Sequence, residues 1–252
     1  MTQTIVMASL IFVAALLYSS VGHAGASGYL AVMGFFNLPQ SVMRPAALML
    51  NVFVASIGTY RFWRAGHLQW RLFWPFAALS IPFAFYGGRL RLSDPVYQRV
   101  LGAVLVLAAA NLVWQALQSR RLAAITTRPP PIPVALIIGA ALGLLAGLTG
   151  VGGGIFISPL LILARWADPK KTAAVSAAFI LVNSLAGLSG QMYSGQFKPL
   201  QTLPWEFLIW AIAAVAGGLI GSFLGARKLG HTPLRCMLAV VLIIAGAKML
   251  MS

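Results

Sequence analysis

Acidic residues are nearly missing from this chain: Asp94, Asp168 and Glu206 are all it has among 252 residues. None of them falls in the middle of an apolar stretch, so neither paired-acid hydrolysis nor a carboxylate proton relay has groups to work with. Cysteine occurs once, at Cys236, which excludes an internal disulfide and a cysteine metal cluster. There is no His-Glu-x-x-His pair to hold zinc and no Gly-Lys-Ser/Thr loop to cradle phosphate. No enzyme, metal site or cofactor is therefore expected. Charge of either sign is scarce as well, at 8% of residues against roughly 25% in an average soluble domain. A soluble surface cannot be built from so little.

What the chain has in quantity is apolar side chains, 60% of the total. Ten apolar stretches run at about 4–21, 25–37, 42–60, 70–88, 96–118, 133–149, 152–165, 172–192, 204–224 and 233–250. A membrane-crossing helix needs about 20 mostly apolar residues. The second and seventh stretches, at about 13 or 14 residues, are too short to cross fully. The first stretch has a signal peptide's length but neither a basic start nor an obvious small-residue cleavage site, so it reads as a retained helix.

The net charge of +15 comes from 18 Lys and Arg, a balance that suggests nucleic acid in a soluble protein. Here most of the basic residues fall in connections between apolar stretches, where they orient the spans and meet anionic lipid headgroups. The same excess suits an anion pathway, and composition does not separate the two readings. Nucleic acid is not expected as a partner.

Between Gln118 and Pro133 lies a basic, proline-rich segment that cannot continue a helix and divides the chain near its middle. Across it the sequence repeats. Gly22-His-Ala-Gly25-Ala-Ser-Gly28 matches Gly147-Leu-Thr-Gly150-Val-Gly-Gly153 with three glycines in step. Pro39 pairs with Pro169, Asn51 with Asn183, Gly58 with Gly190, Gly66-His67-Leu68 with Gly195-Gln196-Phe197, and Leu92 to Pro95 with Leu229 to Pro233. The expected fold is an all-α integral membrane protein made of a first repeat (1–118), a linker (119–132) and a second repeat (133–252). Each repeat has five helical segments, the second of them short and preceded by a glycine-rich break. An odd number of segments inverts the second copy relative to the first, the plan of many secondary transporters. Under that topology twelve Lys and Arg collect on one side and six on the other. The positive-inside rule then puts the richer side in the cytoplasm and both termini outside.

Each glycine run precedes a short stretch, so the backbone is expected to leave helical geometry there and start a half-helix whose free N–H groups face a cavity. That arrangement favours an anion; the alternative is that the glycines let helices pack closely. The candidate binding residues are Ser27 and Gly28 in the first run, and Thr149, Gly150, Gly152, Gly153 and Gly154 in the second. Polar residues of the third segments add Asn51, Asn183 and Gln191, whose amides both donate and accept; their alternative role is to join helices. His23, where the second copy has Leu148, could pass a proton or touch the anion, or be an interfacial histidine with a satisfied ring. Arg44 could attract the anion or snorkel to the interface.

The run from Gly147 to Phe156, followed by Pro159, Asp168-Pro169 and Ala174 to Asn183, resembles the second-half signature of the TauE/SafE family of sulfite and organosulfonate exporters, also known as 4-toluene sulfonate uptake permeases. With the weaker first copy the resemblance covers nearly the whole chain. It implies a bacterial inner-membrane transporter for sulfite, thiosulfate, sulfoacetate or a related sulfonated or carboxylated anion. Joined to the glycine breaks, the expected function is export of such an anion by alternating access, with membrane lipid as its surroundings and a homodimer as one open assembly. In the first copy Ala26-Ser27 replaces the family's run of glycines and His23 intrudes. Two other functions stay open: a proton-coupled uptake permease for a sulfonate or carboxylate, and a membrane assembly subunit that transports nothing.

Overall fold

The computed structural model describes residues 2–20, 22–118, 128–197, 204–227 and 232–251, and every regular element in them is an α-helix. Ten helices are described: α1 (Thr2–Ser20), α2 (Ala26–Phe35), α3 (Gln40–Arg64), α4 (Trp70–Arg89), α5 (Asp94–Gln118), α6 (Ile132–Thr149), α7 (Gly154–Leu163), α8 (Pro169–Tyr193), α9 (Pro204–Arg227) and α10 (Thr232–Met251). The ten expected stretches are thus ten helices. Some overrun their apolar stretch: α3 continues past Tyr60 to Arg64, where Arg61 and Arg64 complement the negative end of the helix dipole. Most of the linker, and Leu229 to His231 of the expected tail match, lie outside the described residues.

Six of these helices are long and apolar enough to cross a membrane, which makes the chain a multi-pass membrane protein. Helices α2 and α7 have 10 residues each, hence a length of about 15 Å, half of a hydrocarbon core of about 30 Å. The three acids all sit at helix N-termini, in the first turns of α5 and α9 and at the N-cap of α8. At that N-cap, the Asp168 carboxylate accepts from the N–H groups of Lys170 and Lys171 and pairs with the Lys171 ammonium at 3.0 Å. Burial raises the pKa of its carboxyl, but those bonds outweigh it and hold the group below its ordinary value.

Helix ends recur at matched places. Helices α3 and α8 both stop at a left-handed glycine, Gly66 or Gly195, and the next N–H reaches back to a carbonyl five residues earlier, His67 to Phe62 and Gln196 to Gln191. Helices α2 and α7 stop the same way on left-handed Asn37 and Arg165. The glycine runs differ, however. Helix α1 ends at left-handed Gly22, whereas Gly147, its partner in the sequence match, is still inside α6, which ends at Gly150.

Two apolar clusters make the core. One draws chiefly on α1, α2, α3, α5, α9 and α10, the other on α4, α6, α7 and α8. Within the second, Gly139, Gly143 and Gly147 of α6 lie against the carbonyl oxygens of Phe76, Ser80 and Ala84 of α4, so close that a Cβ at any of the three would strike backbone. Gly217 and Gly221 of α9 meet Phe12 and Leu16 of α1 in the same manner. Lipid offers no hydrophobic drive for helix association, so this close approach supplies the packing.

Two outcomes are expected. Gly143→Ala should destabilise the detergent-purified protein by about 1–3 kcal/mol through overpacking, while Gly58→Ala, whose Cβ would meet only Ala177 Cβ at 3.6 Å, leaves the melting temperature unchanged or raised. Asp168→Ala should cost about 1 kcal/mol for the lost cap. Because folding depresses its pKa, the Asp168 contribution is complete above the ordinary carboxylate range and fades as pH falls through the folded value; melts against pH, with and without the substitution, would read this.

Candidate functional site

Between α6 and α7 the backbone cannot be helical, because Gly150, Gly152 and Gly153 all have positive φ, from 78° to 84°. Inside a membrane the polar groups freed by such a break must find partners in the protein. The carbonyls of the second run do so through side chains of the first half. Gly147 O accepts from Arg44 Nη2 at 3.0 Å, Thr149 O from Tyr97 at 3.1 Å, Val151 O from Asn51 Nδ2 at 3.3 Å and Ile155 O from Asn111 Nδ2 at 2.9 Å. Helices α3 and α5 therefore hold the break in place. The N–H groups at the start of α7 are differently treated: Gly153 is its N-cap, and with no side chain it offers them no cap.

Asn51 sits at the centre of this arrangement. It is fully buried, its amide N–H also reaches Ser184 Oγ at 3.3 Å, and its Oδ1 has no partner. A Cβ added to Gly152 would lie 2.6 Å from Asn51 Nδ2 and 2.9 Å from Ser184 Oγ. Asn183, its match in the second half, behaves otherwise: its amide donates to Phe179 O of its own helix at 2.8 Å, leaving Oδ1 without a partner. Thr149 also folds back, onto Leu145 O, and its hydroxyl accepts from Val151 N–H. Gly154 abuts Ile180. Gly152 and Asn51 are thus brought together, with Ser184, one residue from Asn183, completing the group, while Gly150 lies against the backbone of Arg44.

The first run is built differently. Ser27 donates to the Tyr18 hydroxyl at 2.7 Å, and Gly28 packs on Ala14 and the Tyr18 ring, so both engage α1. The start of α2 again has a glycine N-cap, Gly25, with no side-chain cap. His23 links this run to the second half: its Nε2 lies 2.9 Å from Ser158 Oγ on α7, which lies 2.6 Å from Ser176 Oγ on α8. The histidine is buried within the protein.

Arg44 does not snorkel; it is 3% exposed. Its guanidinium donates to Gly87 O, Gly88 O and Leu90 O at the C-terminal end of α4, besides Gly147 O and Gln196 Oε1. Carbonyls at two helix ends, where the dipole is negative, stabilise the cation in place of a carboxylate. Gln191 is 1% exposed and neither amide atom has a partner. Ser189, by contrast, is exposed and bonded to its own helix.

Tyr97, Ser158 and Gln196 escaped the sequence reading. No spacing rule singles out a tyrosine whose hydroxyl meets one backbone carbonyl. Ser158 did stand out in principle, as a hydroxyl within an apolar half-length segment.

Gly152→Ala should cost more stability than Gly66→Ala. Both pay about 1–2 kcal/mol for a left-handed alanine, but Gly66 faces open space and Gly152 faces Asn51 and Ser184. Equal shifts in melting temperature would remove the close contact from the account.

Residues 7–249 match the family described as sulfite exporter TauE/SafE. The chain is 41% identical over 249 residues to the probable membrane transporter protein y4hK of Sinorhizobium fredii, covering 99% of each. It is 25% identical to a probable membrane transporter protein of Methanocaldococcus jannaschii, over 87% of this chain and 84% of that one. With the probable membrane transporter protein YjnA of Bacillus subtilis the identity is 24%, over 99% of this chain and all of the other. No solved structure matches. The half-length helices after glycine breaks, and a family match that runs almost end to end, have one conclusion: the chain belongs to the TauE/SafE family and is a membrane transporter, not an enzyme.

Proposed function

We propose that the chain exports a small oxyanion or organosulfur anion, of the sulfite, thiosulfate or sulfoacetate kind, by alternating access across a bacterial inner membrane. The observation that carries this reading is the uncapped start of α7 deep in the protein, with its flanking carbonyls already matched by Arg44, Tyr97, Asn51 and Asn111. A helix start whose N-cap offers no side-chain acceptor, at the positive end of the dipole, suits an anion. Gly150, Gly152, Gly153 and Gly154 supply the backbone, Asn51 positions it, and Asn183 and Thr149 stand beside it; Ser27 and Gly28 begin the matching half-site on α2.

Support for two inverted units comes from the matched helices. Helix α3 meets α8 head to tail, with Arg44 beside Gln196 at one end and Gly58 beside Ala177 at the other. Helices α5 and α10 do likewise, Gly102 lying against Leu250 and Gly246 against Val106. The polar contacts of Arg44 and His23 fall between the two apolar clusters, a seam along which one helix set can rock against the other. An inside-negative potential favours exit of an anion by about 2.3 kcal/mol per charge per 100 mV, so export needs no coupled ion.

A second reading, proton-coupled uptake, is favoured by the hydrogen-bonded series His23, Ser158 and Ser176, which joins a titratable ring to both halves.

Proteoliposomes loaded with radiolabelled sulfite and held at two imposed potentials separate the readings. Passive export should give flux that rises with the outward driving force; inward flux only under a pH gradient favours the second reading, and no flux of any anion sinks both. Asn183→Ala and Asn51→Ala should slow transport more than Ser189→Ala. Cysteine labelling of the linker from outside the cell would reverse the proposed orientation, in which both termini lie outside the cytoplasm.

A further inference from the structure

A cavity of about 390 Å³ opens beside the N-terminal turns of α3 and the C-terminal end of α8, and Arg44, Pro45, Arg91, Leu92 and Gln191 line it. It adjoins the break before α7, which Arg44 also holds through Gly147 O, and is reached from the face that carries the α2–α3 and α4–α5 connections and the C-terminal end of α8. Three of its properties point to one class of ligand.

The first is charge. Two arginines line the cavity and no acid does. Among the described residues Arg44 has no carboxylate within ion-pairing distance, and the carbonyls that hold its Nη groups carry no net charge. Its Nε–H has no acceptor at all. A guanidinium this deep, fixed by neutral dipoles, keeps its full charge to offer.

The second is an unmet amide. Gln191 is almost wholly buried, lines the cavity, and has neither donor nor acceptor matched. A buried amide without partners costs free energy unless a ligand meets it. Its neighbour Gln196 differs, since its amide is spent on Arg89 O and Ser194 Oγ.

The third is size and lining. At about 390 Å³ the space falls at the small end of the roughly 300–1,000 Å³ typical of small-molecule sites and equals many water volumes of about 30 Å³. A bare inorganic oxyanion leaves most of it unfilled, while Pro45 and Leu92 offer an apolar wall.

We propose that this cavity is a loading site for a small organic anion, with its sulfonate or carboxylate head on Arg44 and Gln191 and a short carbon tail against Leu92 and Pro45. The inference rests on the anion-transport reading for its purpose, though not for its chemistry. It makes Gln191 a specificity residue of this outer site and not part of the glycine break, and it selects organosulfonates over sulfite itself. Arg91, at the rim and tied to Ser194 O, adds charge to the entrance.

The test is calorimetric titration of the full-length protein in nanodiscs with methanesulfonate, 2-hydroxyethanesulfonate and sulfite. The organic anions should bind at least tenfold tighter than sulfite. Gln191→Leu, which leaves the carbonyl cage of Arg44 intact, should weaken 2-hydroxyethanesulfonate at least tenfold, and Arg44→Gln should abolish binding where Arg44→Lys keeps part of it. Should the Arg44 variants fail to fold, Gln191→Leu decides alone. Unchanged affinity in Gln191→Leu, or sulfite bound as tightly as the organic anions, overturns the proposal and leaves Arg44 a structural clamp. Proteoliposome flux keeps the two readings apart: Gln191-dependent binding without flux sinks the transport reading only, and flux with an indifferent Gln191 sinks this site only.

Discussion

Hydrocarbon gives a peptide group nothing to bond with, so every interruption of a helix inside the membrane has to be repaid from within the protein. Among the described residues, two half-length helices begin after such interruptions, at Gly22–Gly25 and at Gly150–Gly153. Much of its interior polarity exists to settle the consequences. Arg44, Asn51, Tyr97 and Asn111 each give a hydrogen bond to a carbonyl in or beside the second break, and Tyr29 gives one to Ala24 O in the first. What looks in sequence like a scatter of polar residues in apolar helices is a set of donors placed against known acceptors.

The same requirement makes the two breaks unequal. In the second, the donors come from α3 and α5, elements of the other half, so the half-helix α7 cannot shift without disturbing them. In the first, Ser27 and Gly28 engage α1, next to them in the chain, while Gly22 abuts Ala173 of α8 and His23 reaches Ser158 of α7. The two breaks have similar frames, each a glycine N-cap before a half-length helix, and different side chains around them. Close helix contact runs both ways between α4 and α6: Gly139, Gly143 and Gly147 of α6 meet carbonyl oxygens of α4, and Gly87 of α4 meets Leu144 O of α6, while between α1 and α9 the glycines lie on α9.

Much was legible without coordinates. The apolar stretches located the helices because in lipid the spanning residues must be apolar along their whole length. The two short stretches were right for the same reason, and the matched Gly66 and Gly195 are one helix stop used twice. The asparagine match was legible only as a position. Asn51 crosses to Val151 and Ser184, and Asn183 turns back to Phe179, a difference set by which neighbours come within reach. For Arg44 the sequence left two roles open: a long basic side chain near a helix start ordinarily reaches for water, and here two helix C-termini hold it.

Taken alone, the sequence determined that this protein lives in a membrane, roughly where its ten helices lie, and which family it resembles. These properties follow from composition and local dihedral preference, which neighbouring residues dictate. The tertiary structure decided which polar groups meet. It gave Gly147 to helix packing and Gly152 to Asn51, buried Arg44 among carbonyls, and left Gln191 facing a cavity without a partner. Such pairings join residues far apart in the chain, Arg44 and Gln196 being separated by 152 positions, and distances of that kind are set only when helices pack.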